Sequence, residues 1–333
     1  MLLRICLLTN QDLDDLPFPN GDWPCDPRPY LPEAEWHLEV LEDKAQGPVR
    51  TRELIEQGFD LFFNLCDGAE GQDDLPGVEV VMALEEAGVP FTGAASDFYE
   101  PTRLQMKQAC ARAGIAYPDF VLAKSMGDCD KALKKLSFPM FVKHYNSYAS
   151  VDLSRHSRVQ TPEGLRRQVR KIIKRHGSAL IEEYIPGTEC TVLVAENPDD
   201  PAQPITYTPV EYRFPEGETF KHEKLKWEDF DGLHAQAVAD PELSERLRQD
   251  AAAFFRELNG SSFGRCDVRV APDGTPYMLE MNANCGLYYP EDAPASADLC
   301  LKFDEAGHVG FTKRLVEAAI QRARRGKRKR KAS

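Results

Sequence analysis

Short apolar runs alternate with amphipathic stretches along the first hundred residues. Residues 2–8 are apolar and end in polar TNQDLDD, which reads as an opening β-strand. Residues 12–32, rich in Pro and Asp, read as irregular. Residues 33–41 begin a strand or a short helix. Residues 51–57 suit a helix that Gly58 stops. Residues 59–65 (FDLFFNL) form a compact apolar run, the pattern of a buried parallel strand. A helix over 78–87, closed by Gly88, precedes a short strand over 89–92. Strand and helix in alternation predict an open α/β sheet.

A second α+β unit follows. The pattern predicts a helix over 101–113 ended by Gly114, strands over 118–123 and 139–144, and a helix near 128–136 between them. Residues 161–174 form a basic helix that opens on Thr-Pro, where proline in the first turn is tolerated. Strands over 178–183 and 189–195 flank the turn Ile185-Pro186-Gly187. Residues 211–233 are charged and aromatic without a clear period. Residues 241–258 form a long amphipathic helix. Strands over 265–271 and 276–281 make a hairpin about Pro272-Asp273-Gly274. A last helix over 310–325 leads into a basic tail, and there is no internal repeat.

The 333 residues are 42% hydrophobic, enough for real cores. At roughly 100–200 residues per domain, two or three domains are expected. The net charge of −13 hides a division: residues 322–331 (RARRGKRKRK) hold eight basic residues and no acid, so the remainder stands at −21. An acidic body disfavours nucleic acid as the main ligand. No apolar run approaches the roughly 18 residues of a membrane span, so no membrane association is expected. The acidic stretch after residue 10 is not a signal cleavage site. Nine scattered cysteines without Cys-x-x-Cys suggest reduced thiols in a cytoplasmic protein.

Three segments carry chemistry. In Gly264-Arg265-Cys266-Asp267-Val268-Arg269, strand alternation puts Arg265 and Asp267 on one face. In Tyr277-Met278-Leu279-Glu280-Met281-Asn282 it does the same for Glu280 and Asn282. A hairpin brings these together as hard oxygen ligands beside a guanidinium, a set that suits Mg²⁺ shared with phosphates. Read alone, the segment is equally a solvated charged hairpin. In Phe138-Pro139-Met140-Phe141-Val142-Lys143, a lysine ends an apolar strand, which is costly unless it meets an anion. A small polar loop follows, whose N–H groups can cradle phosphate; alone, it is an exposed lysine. The run 180–189 (LIEEYIPGTE) can offer a strand edge to a flat base and Glu189 to ribose hydroxyls; alone, it is a strand and turn with exposed acids.

Taken in order and spacing, these segments resemble the ATP-grasp superfamily, and more closely its D-alanine–D-alanine ligase branch. Val89-Pro90-Phe91-Thr92-Gly93 resembles that family's "IPYTG" strand. The resemblance spans about residues 1–320 and implies an ATP-grasp fold, α/β (α+β), preceded by an open α/β pre-ATP-grasp domain. It implies a division into 1–97 (N-terminal α/β), 98–184 (central lobe), 185–321 (C-terminal lobe with the Mg site) and 322–333 (basic tail). It implies that Lys143 holds the ATP phosphates, with residues 147–151 as the phosphate loop and Ser150 as its serine. Glu182, Glu183 and Ile185 line the adenine pocket, and Glu189 binds ribose. Asp267, Glu280 and Asn282 hold two Mg²⁺, for which Mn²⁺ can substitute. Arg265 steadies the oxyanion of the tetrahedral intermediate, and Lys226 in KLKWEDF closes over ATP. A homodimer through the N-terminal domain follows by analogy only.

The chain departs from the family in places. Arg103, in Thr102-Arg103-Leu104-Gln105-Met106-Lys107, stands for the first ATP-contacting lysine of "DKxxxK"; charge is kept, point-like geometry is not. The N-terminal Gly-Gly-x-Ser-x-Glu is replaced by 10–15 (NQDLDD), with Asp15 nearest the glutamate that binds an ammonium. After Asn282, Gly286 matches the family glycine, but Glu291 sits near the acceptor-binding serine, where it would repel a carboxylate. The nucleotide end is thus kept and the amino-acid end rewritten.

Other features add little. The seven histidines show no HExxH; His144 stands out only by following Lys143. No Gly-x-Ser-x-Gly, Gly-x-Gly-x-x-Gly or Walker loop exists, which argues against a serine hydrolase, a dinucleotide dehydrogenase and a P-loop enzyme. Cys266 and Cys285 read as buried spacers, and Tyr288 and Tyr289 either shape an acceptor pocket or simply pack. The tail reads as a nuclear-import signal, a polyanion contact or a solvated helix end. The expectation is an ATP-dependent ligase joining a small-molecule carboxylate to an amine through an acyl phosphate, on amino-acid-like substrates. The alternative is an ATP-binding protein without turnover that acts through partners. The intact carboxylate set favours activity.

Overall fold

The structure, a computed structural model, describes residues 2–14, 25–69, 73–146, 153–220 and 233–332, with side chains through 328. Strands β1 (Arg4–Thr9), β2 (Glu35–Val40) and β3 (Leu61–Asn64) form a parallel sheet in the order β2-β1-β3. Every residue of β3 and all but the first of β1 are buried, which is why both read as unbroken apolar runs. Helices α1 (Gly47–Glu56) and α2 (Val78–Ala87) pack together in this unit. The run 89–92 is less than the expected strand. It makes one parallel bridge, Phe62 to Phe91, with Phe62 N–H donating to Pro90 O at 2.9 Å. Gly93 then turns the chain at φ 90°, a backbone that favours glycine, and its N–H donates to Ser262 Oγ at 2.8 Å.

Helix α3 (Arg103–Ala113) starts on a reciprocal cap, in which Thr102 Oγ1 accepts from Gln105 N–H and Gln105 Oε1 accepts from Thr102 N–H. Strands β4 (Phe120–Ala123), β5 (Met140–His144), β6 (Arg158–Val159) and β7 (Ala179–Glu183) make an antiparallel sheet ordered β4-β7-β5-β6. Helices α4 (Asp128–Lys135) and α5 (Pro162–His176) cover it over their own apolar core, which includes Val142, Leu165, Val169 and Ile181.

The third sheet contains β8 (Thr188–Ala195), β9 (Ile205–Thr206), β10 (Val210–Arg213), β11 (His234–Ala237), β12 (Phe263–Val270) and β13 (Pro276–Asn282). Its order is β11-β10-β8-β12-β13, with β9 paired to β8. Cys190, Val192, Val194, Cys266 and Val268 form one apolar face. That face is covered by Met106 and Cys110 of α3 and by Phe254 and Phe255 of α6 (Pro241–Glu257). So α3 belongs to the core of the C-terminal sheet, although it precedes the central one in the chain. A bulge between Asp267 and Val268 returns Met278 to the same buried face as Met281 and leaves Glu280 on the other.

Helices α7 (Ser296–Lys302) and α8 (Gly307–Ala332) close the chain. Helix α8 runs through residue 322 without a break. The expected helix over 310–325 thus continues into the basic run, and the first residues of the segment set apart as 322–333 pack on the fold. Buried Glu196 pairs with Arg322 and, at 2.9 Å, with Arg325. Arg322 also donates to Phe91 O at 2.6 Å and lies over the Phe91 ring. Those two arginines are thus part of the fold's packing, which does not favour an import signal there. No helix among the described residues is long and apolar enough to cross a membrane.

Candidate active site

The polar face of the third sheet carries the hairpin chemistry. Register places Arg265 opposite Asn282 and Asp267 opposite Glu280, so the four side chains expected to converge do so. Asp267 accepts from Arg265 Nε at 2.9 Å and Nη2 at 2.8 Å, a two-pronged pair. It also accepts from Asn282 Nδ2 at 3.0 Å and Thr191 Oγ1 at 3.1 Å. Burial would lower the Arg265 guanidinium, but Asp267 outweighs it and raises the group further. Arg103, in the first turn of α3, reaches across to Glu280, with Nη1 2.6 Å from Oε2. Burial would push the Glu280 carboxyl up; Arg103, aided by Lys143 and Arg265, holds it below the usual range against Asp267.

The central sheet supplies a second cluster. Alternation along β7 turns Glu182 inward, where it is 3% exposed. Lys143 of β5 and Lys107 of α3 each place Nζ 2.6 Å from one of its oxygens. Lys107 also donates to Pro118 O and sits over the rings of Tyr117 and Phe120. Burial works to raise the Glu182 carboxyl, yet the two lysines hold it at about 2. Burial, the largest cause, pushes Lys143 down to about 8 against the pull of Glu182, and repulsion from Arg103 and Lys107 adds to it. Lys143 and Glu280 feel each other's charge, so the two clusters adjoin. Lys107 was missed by the sequence reading. Its signal is the i,i+4 spacing from Arg103, which puts both cations on one helix face.

The other expected residues fall into place or out of it. Glu183 points to the opposite face, where its carboxylate accepts from Ser137 N–H at 3.1 Å, so its side chain does not join Glu182. Ile185 contributes its carbonyl, which accepts from Arg269 Nε at 3.2 Å. Glu189 lies opposite Arg269 in the register and within 3.5 Å of it. Arg269, another residue not anticipated, is 4% exposed. It also donates to the carbonyls of Gly187 and Thr219 and to Tyr184 Oη. It therefore clamps the whole turn from 184 to 189. Asp15, Ser150 and Lys226 lie outside the described residues.

A cavity of about 470 Å³ opens between the first and third sheets. It lies beyond the carboxyl ends of β1 and β3, where Asn10 and Asn64 line it, the usual crevice of a parallel sheet. Arg265 and Asn282 line its other side, with Gly286 and Tyr289. Glu291 does not line it and is exposed, so the expected repulsion of an acceptor carboxylate is not built into this wall. Burial pushes the Cys285 thiol up to about 12 and Cys266 well above its ordinary value, which fits inert spacers rather than nucleophiles. Among the described residues, no three His, Cys, Asp or Glu side chains form a metal cage. Two carboxylates and an amide instead suit an ion that takes its remaining ligands from phosphate.

Comparison with known proteins identifies the family. The family described as "D-ala D-ala ligase C-terminus" matches residues 109–293. A D-alanine–D-alanine ligase from Laribacter hongkongensis (strain HLHK9) is 30% identical over 278 residues, covering 80% of this chain and 85% of the relative. A D-alanine–D-alanine ligase from Bacillus anthracis, solved complexed with ATP, superposes with a TM-score of 0.70 at 18% identity. That match covers 98% of this chain and 99% of the other. A D-Ala:D-Ser ligase from Enterococcus faecalis gives 0.69 at 15% identity, over 96% and 100%. At such identities the structural likeness is one of fold. The family match and the sequence relative go further, and the chain belongs to the D-alanine–D-alanine ligase family of ATP-dependent, amide-bond-forming ligases.

Proposed function

We propose that this protein joins a small carboxylate, activated by ATP, to an amine of amino-acid-like character. The observation that carries the proposal is the meeting of Arg103, Lys107, Lys143 and Arg265 with Glu182, Asp267 and Glu280 beside the cavity. Four cations against three carboxylates leave one positive charge in surplus. Lys143 is that surplus, since Glu182 is already matched by Lys107. A desolvated cation beside a closed ion pair is a receptor for phosphate. The Ile185 carbonyl and Glu189, held by Arg269, border the place for base and ribose.

Asp267, Glu280 and Asn282 are the residues that would hold Mg²⁺, which supplies charge neutralisation during phosphoryl transfer. In the proposed reaction the donor carboxylate displaces ADP from the γ-phosphorus and becomes an acyl phosphate. The acceptor amine then adds to that carbonyl, and phosphate leaves. Arg265 lines the cavity and presents its guanidinium where the tetrahedral oxyanion forms. No side-chain nucleophile is needed, consistent with raised, buried thiols at Cys266 and Cys285. None of the nine cysteines, all of which are described, forms a disulfide, which suits a reducing, cytoplasmic setting. A homodimer through the N-terminal unit is part of the same proposal, and light scattering reads it directly.

The test is ADP release with a panel of amino acids and small carboxylic acids, with products read by mass spectrometry. Amino-acid-dependent ADP release that is lost in Glu280→Gln is expected. ATP binding with no panel member raising ADP release above background overturns the reading.

A further inference from the structure

Asp298 is 2% exposed, yet it touches neither of the charge clusters described above. Its carboxylate accepts from Tyr288 N–H at 2.7 Å, Tyr289 N–H at 3.2 Å and Ala295 N–H at 3.0 Å. His308 Nε2 lies 2.9 Å from Oδ1. Three backbone donors and an imidazole are thus gathered on one buried carboxylate, which makes the conformation of residues 288–289 a property of Asp298. That conformation is unusual. Tyr288 has φ 64°, in the region that favours glycine, and such backbone persists only where its surroundings over-determine it. They do so here. Tyr288 Oη meets Thr312 Oγ1 at 3.0 Å, and Tyr288 O accepts from Asp26 N–H at 3.3 Å. Tyr30 stacks on Tyr288 and on His308, at 5.6 and 4.8 Å between centroids.

The outcome of this bracing is the placement of Tyr289. Its ring lies against the α-carbon of Gly286, so closely that a β-carbon there would come within 2.9 Å of Cε2. Both residues line the cavity that Arg265 and Asn282 also line. The tyrosine therefore stands as a fixed partition in the space next to the oxyanion guanidinium. We propose that Tyr289 is a specificity-determining residue that limits the size of the amino-acid-like substrate, and that Asp298 is the positioning residue that holds it. This rests on the reading of the cavity as the ligase's substrate site. It goes beyond that reading by naming the class excluded: amines and carboxylates with bulky substituents at the carbon next to the reacting group.

The experiment compares the parent protein with Tyr289→Ala on a size series of amino acids, from alanine to phenylalanine, by ADP release. The kcat/KM ratio of bulky to small substrates should rise by about tenfold or more in the variant, as expected when a pocket gains a side chain's volume. Asp298→Asn should raise the amino-acid KM about tenfold with kcat nearly unchanged and the ATP KM unaffected. A merely structural aspartate would instead lower kcat and weaken both substrates alike. If Asp298→Asn fails to fold, His308→Ala removes one partner only and should move the amino-acid KM in the same direction by a smaller factor. An unchanged size ranking in Tyr289→Ala overturns the proposal while leaving the ligase reading intact. If the parent shows no amino-acid-dependent ADP release, the ligase reading fails. The partition is then judged by thermal-shift binding of the same series. Tighter binding of the bulky members by Tyr289→Ala supports it, and an unchanged ranking or no binding by either protein overturns it.

Discussion

Arg103 Nη1 lies 2.6 Å from Glu280 Oε2, so the first turn of α3 is tied by charge to the edge of β13 that we propose holds Mg²⁺. Glu280→Gln keeps the shape and removes the charge. The expected result is a loss of about 100-fold or more in ADP release, the scale on which such electrostatic groups act. The melting point should fall only slightly. Glu280 is partly exposed, so Arg103 facing a neutral amide loses about 1 kcal/mol after solvent screening. Assay and thermal melt of the same preparation check both.

The two lysines on Glu182 should separate by phenotype. Lys143→Met leaves the Lys107–Glu182 pair closed and removes the surplus cation, so the ATP KM should rise about tenfold or more while the fold stays intact. Lys107→Met leaves Glu182 with Lys143 alone and uses up that surplus. It should destabilise the protein by roughly 3 kcal/mol and also weaken ATP binding. Equal melting points for the two variants would contradict this assignment.

The pH dependence follows from the same cluster. Lys143, held down at about 8, loses its charge as pH rises through that value. In the free enzyme kcat/KM for ATP should therefore decline above about pH 8. Lys143→Arg stays charged and should flatten the profile. Stability moves the other way. Between about 8 and the ordinary 10.5, the unfolded chain holds a proton that the folded chain has shed, so this residue's contribution to stability rises with pH. Glu182 is held at about 2 against an ordinary 4.5, so its contribution is complete above 4.5 and is lost as pH falls towards 2. Acid unfolding of the parent and of Glu182→Gln measures that second window.

Arg269→Met removes donors from Ile185 O, Gly187 O, Thr219 O and Tyr184 Oη at once. Buried carbonyls left without donors cost about 1–3 kcal/mol each, so a drop of several kcal/mol in stability is expected. The ATP KM should rise while the amino-acid KM stays constant, because the turn borders the proposed place for base and ribose. A variant that folds with an unaltered ATP KM would remove the turn from the nucleotide pocket.

Truncation separates the two parts of the basic run. Ending the chain after Arg328 keeps both arginines on Glu196 and should leave the melting point unchanged. Ending it after Gln321 leaves a buried carboxylate without them and should destabilise the protein by about 3–5 kcal/mol. Glu196→Gln in the truncated chain should recover part of that loss.

Much of the fold is legible in the chain. Helix α2 is foreseen to the residue, because its apolar spacing meets a closing glycine at 88, which takes φ 65°. The hairpin chemistry is legible because alternation along β12 and β13 is a local rule, and the bulge at 267–268 falls where Glu280 keeps its side. What is hidden is tertiary. Arg103 is singled out by the family resemblance, but Lys107 looks like an ordinary basic position until α3 is laid on the C-terminal sheet. Glu183 looks equivalent to Glu182 until the strand's two faces acquire different neighbours. The edge 89–92 has a strand's composition but runs along β3 for only one bridge. Arg322 and Arg325 read as part of a solvated tail because Glu196 is more than a hundred residues away along the chain.

Lys107 also has a mechanical side. It is carried by α3, whose apolar face belongs to the core under the C-terminal sheet, whereas Glu182 stands on β7 of the central sheet, on the face turned away from that sheet's own core. The ion triad is thus a rivet through the seam between two lobes, and the charge that a phosphate would seek sits on the rivet itself. If nucleotide binds there as proposed, its binding and the strength of that seam are linked. In the proposed reading, an anion bound at Lys143 would be coupled to that seam through the carboxylate that Lys143 and Lys107 share.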